Sequence, residues 1–163
     1  FIATGQIGIT ITGDGIPLDA FKVDHACGAV ERKVLEYGKN DLIIIEGQGS
    51  LLHPGSTATL PLIRGSCPTH LILCHRAEKH NLRYPENIRI PNLKKFIELN
   101  QNLAHVFGAF PMSKCIGVSL NTSKLNEKEA QKVIDETTKI TGLPVTDPVR
   151  YGVEKICRSL LTS

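Results

Sequence analysis

The 163-residue chain has no tryptophan, a single methionine, and aromatic residues at only 5%. Nucleic-acid surfaces need clustered cations beside aromatic faces. With a net charge of only +3 and dispersed lysines and arginines, nucleic acid is not an expected partner. No apolar run reaches the length of about eighteen residues that a membrane helix needs, so no membrane association is expected. No signal-peptide pattern is present. The five cysteines, at 27, 67, 74, 115 and 157, form no C-x-x-C pair and are odd in number. That spacing argues against a disulfide framework or a zinc site and for buried reduced thiols in a cytoplasmic protein. No G-x-x-x-x-G-K-[ST] loop occurs, so these residues do not form a complete phosphate cradle. The chain opens at Phe1 inside a strand-like run, without a methionine, which suggests a piece of a longer protein.

What is present fits a single domain spanning residues 1–163. Hydrophobic residues make up 41% and charged residues 21%, as in soluble globular proteins. Residues 42–45 (Leu-Ile-Ile-Ile) form a short apolar run, read as a strand buried on both faces. Phe1–Thr4 reads as the tail of a buried strand, and Gln6–Ile11 as a second extended stretch. A helix is expected from Pro17, with Phe21, Val23, Ala26, Val30, Val34 and Leu35 on its apolar stripe and Gly38 at its end. Leu60–Ile63 starts a short helix, and His70–Cys74 is the next strand. Arg76–Pro91 reads as a long surface loop, in which Lys79, His80 and Arg83 are more simply solvated than ligand-binding. A helix follows Asn92, a strand covers Cys115–Leu120, and Asn126 caps a helix that stops near Gly142. Residues 143–148 form an edge strand or extended loop, and Arg150–Leu161 a last helix. Alternating β and α segments predict an α/β fold, with a mainly parallel sheet and helices on both faces.

In a parallel sheet the residues just past each strand share one edge, where ligands of open α/β sheets gather. That gathers Thr4, Gly5, Gln6, Glu46, Gly47, Gln48, Gly49, Ser50, Cys74, His75, Arg76, Asn121, Thr122, Asp147 and Pro148 at one edge, with Gly5, Gln6, Glu46, Gly47, Gln48, Gly49, Ser50, His75, Asn121 and Asp147 as site candidates. Glu46 has three readings: a ligand for magnesium, a general base, or a cap on the amides of a neighbouring segment. His53 and His75 are candidates for proton transfer, set against an ordinary structural role. Ser50 lies outside any G-x-S-x-G elbow, which argues against a hydrolase nucleophile. Composition alone makes Asp24 a surface residue.

Several segments carry a resemblance: Ala3-Thr4-Gly5-Gln6-Ile7-Gly8, the stretch from Glu46 through Ser50 to His53-Pro54, Leu73-Cys74-His75, Gly117–Thr122 and Asp147–Gly152. Together they resemble the C-terminal P-loop domain of a family of domain-of-unknown-function proteins. Its better understood members are D-glutamate (D-amino-acid) N-acetyltransferases. The resemblance covers nearly the whole chain, and Glu-Gly-Gln-Gly-Ser followed by His-Pro is its most specific piece. It implies a P-loop NTPase-like, dethiobiotin-synthetase-like fold, whose phosphate loop and N-terminal domain precede Phe1. It also implies acetyl transfer from acetyl-CoA to a D-amino acid such as D-glutamate. Glu46, His53 or Ser50 would serve catalysis, and Asp24 would join Glu46 near a metal. The alternatives are an ATP- and magnesium-dependent ligase and a non-catalytic nucleotide-binding domain. A small-molecule substrate and a homo-oligomeric assembly are expected on the same grounds.

Overall fold

The computed structural model describes residues 1–162. The chain divides into two compact units, Phe1–Cys67 and a second beginning at Pro68.

In the first unit, residues 1–4 run extended between two other extended segments. Ile2 bridges Ile45 in parallel: its amide donates to the Ile44 carbonyl at 2.8 Å and its carbonyl accepts from Glu46 at 2.9 Å. On the other side Ala3 bridges Gly15, and the carbonyls of Ala3 and Thr4 accept from Ile16 and Leu18. These are isolated bridges, not long ladders. The run at 42–45 is covered on one face only, against the expectation of two. Ile43 and Ile45 pack on the core, while Leu42 and Ile44 are 52% and 55% exposed.

The stretch expected to be extended after Gly5 is a helix, α1 (Gln6–Thr12). Ile7, Ile9 and Ile11 alternate as strand residues do, but Ile7 and Ile11 face solvent, so their spacing reports no buried sheet face. Gly13 closes the helix in the left-handed region, with its amide donating to the Ile9 carbonyl. A 3-10 turn at Leu18–Ala20 then precedes α2 (Val23–Glu36). Of the expected stripe, Ala26 and Val30 are buried and Val34 is packed against the core, whereas Phe21, Val23 and Leu35 are exposed. Helix α3 (Thr59–Ser66) lies against α2. Ile2, Ile16, Leu18, Ala26, Val30 and Leu62 form this unit's core.

The second unit is built on three parallel strands in the order β1 (His70–Arg76), β2 (Lys114–Asn121), β3 (Val145–Thr146). Asn92 starts α4 (Leu93–His105) by accepting the amides of Lys94 and Lys95. Asn126 and Glu129 form a reciprocal capping box at the head of α5 (Glu127–Thr141), which Gly142 ends at positive φ. Ile97 of α4 and Ile134 of α5 join Val118, Leu120 and Val145 on one face of the sheet. Gly117 of β2 leaves room for Ile156 of α7 (Glu154–Thr162), which packs on β2 and β3. The expected last helix is divided at Gly152 into a short α6 (Pro148–Tyr151) and α7. The architecture is α/β, with a parallel sheet and helices on both faces.

One further expectation changes. All five thiols are free, but only Cys115 is buried; Cys67, Cys74 and Cys157 are exposed. Cys74 sits in β1 between the half-buried Leu73 and His75, on the alternate and exposed face. No helix among the described residues is long and apolar enough to cross a membrane. Residues 77–91 form a loop without helix, closed on itself by Ile90 N to His80 O and Leu82 N to Ile88 O.

Candidate functional site

In the first unit the polar residues of 42–50 meet the head of α1. Oε2 of Glu46 accepts the amides of Thr4 at 2.8 Å and Gly5 at 2.9 Å. The Thr4 hydroxyl returns a bond to the Glu46 carbonyl at 2.9 Å. A carboxylate here also complements the positive end of the helix. Of its three readings, the cap on neighbouring amides is the one the geometry displays, and Oε1 keeps no partner among the described residues. Gly8 is needed for this closeness, because a Cβ there would stand 2.5 Å from Oε2.

Gln48 turns its side chain the same way. Its Oε1 lies 3.3 Å from where a Gly5 Cβ would be, and its Nε2 donates to Asp19 at 2.7 Å. Asp19, in the 3-10 turn, is the carboxylate that joins this group, and sequence reasoning missed it. An Asp in a Pro-Leu-Asp turn gives no local sign of a partner 29 residues away. Asp24, proposed beside Glu46, lies exposed in the first turn of α2.

The turn continues as a loop bonded to itself. Gly49 has φ +71, and a Cβ there would fall on Ser56 Oγ. That same oxygen accepts the amide of Ser50 at 3.1 Å. Ser50 Oγ accepts from Leu52, and the carbonyls of Ser50 and His53 accept the amides of His53 and Ser56. His53 Nδ1 accepts the Gly55 amide at 3.1 Å. The Thr59 hydroxyl ties the start of α3 to the Gln48 carbonyl. The amides of Gly47, Gln48 and Gly49 donate to no partner among the described residues.

In the second unit His75, expected just past a strand, lies inside β1 opposite Leu120, and Arg76 ends the strand opposite Asn121. Burial lowers the His75 pKa and favours the neutral ring. The side chain of Asn121 closes a turn by accepting the Ser123 amide. Asp147 is buried at 3% exposure and fully engaged. Oδ1 accepts the amides of Val149 and Arg150 at the head of α6; Oδ2 accepts both the amide and the hydroxyl of Thr122. Burial pushes its pKa up, but the bonds from Thr122, Val149 and Arg150 outweigh it, and the pKa is lowered. Arg150 donates to the carbonyls of Thr122 and Leu125 and pairs with Glu127 at 3.2 Å. Asp147 is thus the anchor of the loop after β2. Its partner Thr122 is one of the edge residues named from the sequence, whereas Arg150 stands outside them.

The candidates therefore fall into two groups: Gly5, Gln6, Glu46 and 47–53 in the first unit, and His75, Asn121 and Asp147 in the second. For magnesium, Glu46 offers one unengaged oxygen, and no cluster of three or more His, Cys, Asp or Glu side chains among the described residues is arranged to hold a metal.

Residues 1–157 match the family described as DUF1611, a domain of unknown function (DUF1611_C) P-loop domain. The chain belongs to the DUF1611 family. A solved DUF1611 protein from Anabaena variabilis superposes with a TM-score of 0.97 at 49% identity, covering 100% of this chain and 48% of that one. Two curated relatives are named D-glutamate N-acetyltransferase. The one from Tritonibacter scottomollicae is 38% identical, and the one from a Pseudoalteromonas species 34%, each over 161 residues. These matches take in 98% of this chain and 48% of each relative. This DUF1611 chain thus spans about half the length of the curated relatives it matches.

Proposed function

We propose that the full-length protein carries the acetyl group of acetyl-CoA to the amine of a D-amino acid, D-glutamate by preference, and works in the cytoplasm. The observation that carries this reading is kinship along 98% of the chain with two proteins named for that reaction. In the reaction the amine nitrogen forms a bond to the thioester carbonyl carbon and the C–S bond breaks. One amine proton goes to a base, and the coenzyme leaves as a thiol after protonation. The step needs an acceptor for that proton and donors for the negative oxygen that develops.

The first unit holds groups of both kinds. Glu46 is fixed by two amide bonds through one oxygen and keeps Oε1 as the acceptor. The undonated amides of residues 47–49 and the Ser50 hydroxyl proton are the donors nearest along the chain. Ser50 keeps its proton for donation because its oxygen is the atom that accepts from Leu52.

A thermal-shift series on the full-length protein separates this reading from a ligase or a non-catalytic nucleotide-binding domain. Acetyl-CoA raises the melting temperature and Mg-ATP does not. Stabilisation by Mg-ATP alone overturns the proposal.

A further inference from the structure

His53 is held so that only one of its ring nitrogens is open to a ligand, and the bond that holds it decides what that nitrogen carries. The Gly55 amide donates to Nδ1 at 3.1 Å. An amide N–H can only donate, so Nδ1 must present its lone pair. A neutral imidazole with Nδ1 as acceptor carries its proton on Nε2. The backbone that carries the ring is held on both sides: His53 N donates to Ser50 O, and Ser56 N donates to His53 O, each at 3.0 Å. Gly55 lies against the imidazole, with its Cβ position 3.3 Å from Cε1. His53 is solvent-exposed, and Nε2 has no partner among the described residues.

We infer that His53 meets the ligand as a neutral hydrogen-bond donor through Nε2–H and is not the base. This rests on the acetyl-transfer reading, within which it fixes a division of labour. A group whose free nitrogen already bears the proton cannot take one from the amine. It can donate to an oxygen on which negative charge builds, as neutral imidazoles do elsewhere. The thioester carbonyl oxygen is that atom. Proton removal then remains with a carboxylate, and Glu46 Oε1 is the open acceptor of the first unit.

Two measurements on the full-length protein test this. The first is the nitrogen-15 spectrum of His53 at a pH where the ring is neutral. The inference requires a protonated Nε2 and a bare Nδ1; a protonated Nδ1 overturns it. The second compares acetyl-transfer kcat in His53→Gln and His53→Ala. The Gln amide can stand near Nε2 and donate but cannot act as a base. His53→Gln is expected to stay within about tenfold of wild type, whereas His53→Ala falls about a hundred- to thousandfold. Equal loss in the two variants, or no loss in either, overturns the donor role. A wild-type protein that forms no acetyl amide removes the function reading and with it the carbonyl partner, whereas the spectrum alone still decides the ring assignment.

Discussion

The carboxylate of Glu46 occupies the space into which a side chain on residue 8 would grow: a Cβ at Gly8 would stand 2.5 Å from Oε2. The bonds from Glu46 to Thr4 and Gly5 therefore depend on a glycine one turn into α1. Replacement by alanine must move either the helix or the carboxylate. Gly8→Ala is expected to cost about 1–3 kcal/mol. Gly28, in α2, has open space around its Cβ position, so Gly28→Ala should stabilise by up to about 1 kcal/mol. Urea denaturation of the two variants checks both signs. Equal effects would contradict the close approach at Gly8.

Asp147 makes stability depend on acidity in a defined direction. Its folded pKa lies below the ordinary 3.8, so the folded state binds its proton less readily than the unfolded chain does. The stabilisation is complete above the ordinary value and is lost as pH falls through the lowered folded value. Asp147→Ala should cost about 2–4 kcal/mol near neutrality, since it leaves the Thr122 amide and hydroxyl without their buried acceptor. Denaturation midpoints measured at neutral and acid pH should converge for the wild type and this variant as the carboxylate protonates. A constant gap across the range would contradict the assignment.

Asp14 gives a second titration, at the surface. Its pKa is lowered to about 2, first by the Lys33 ammonium at 2.8 Å and next by the Tyr37 hydroxyl at 2.6 Å. Lys33 is raised in turn by the same contact. Carbon-13 titration of the Asp14 carboxyl should give a midpoint near this value. Lys33→Ala should return it toward the ordinary range. An unshifted midpoint in the wild type would mean that the Gly13-Asp14-Gly15 turn is not pinned to α2 in solution.

The legible parts of the fold were those set by neighbours in sequence. Asn126 with Glu129 three residues on, and Gly142 at the far end, marked α5 to within a residue. The apolar runs around Leu73 and Val118 marked β1 and β2. The stretch after Gly5 was misread because Ile7, Ile9 and Ile11 mimic a strand's alternation. The helix ends at Gly13, and the carboxylate that holds the two residues before it lies about forty residues away. The same distance hid the working of the site. Glu46 was visible as an odd carboxylate after an aliphatic run, but its partners Thr4, Gly5 and Gly8, and the Asp19 contact of Gln48, exist only once the chain has folded. Asp147 and Thr122 were visible as strand-end residues, while the bonds that join them, and those from the amides of Val149 and Arg150, were not.

The most direct test of the account is the rate at which full-length protein forms N-acetyl-D-glutamate from acetyl-CoA and D-glutamate, beside the same assay with Glu46→Gln. The account predicts product from D-glutamate in preference to L-glutamate. It also predicts a fall in kcat of about a hundred- to ten-thousandfold in Glu46→Gln, as expected when a positioned base is removed. Undiminished turnover in Glu46→Gln, or no acetylation of any D-amino acid by the wild-type protein, would contradict it.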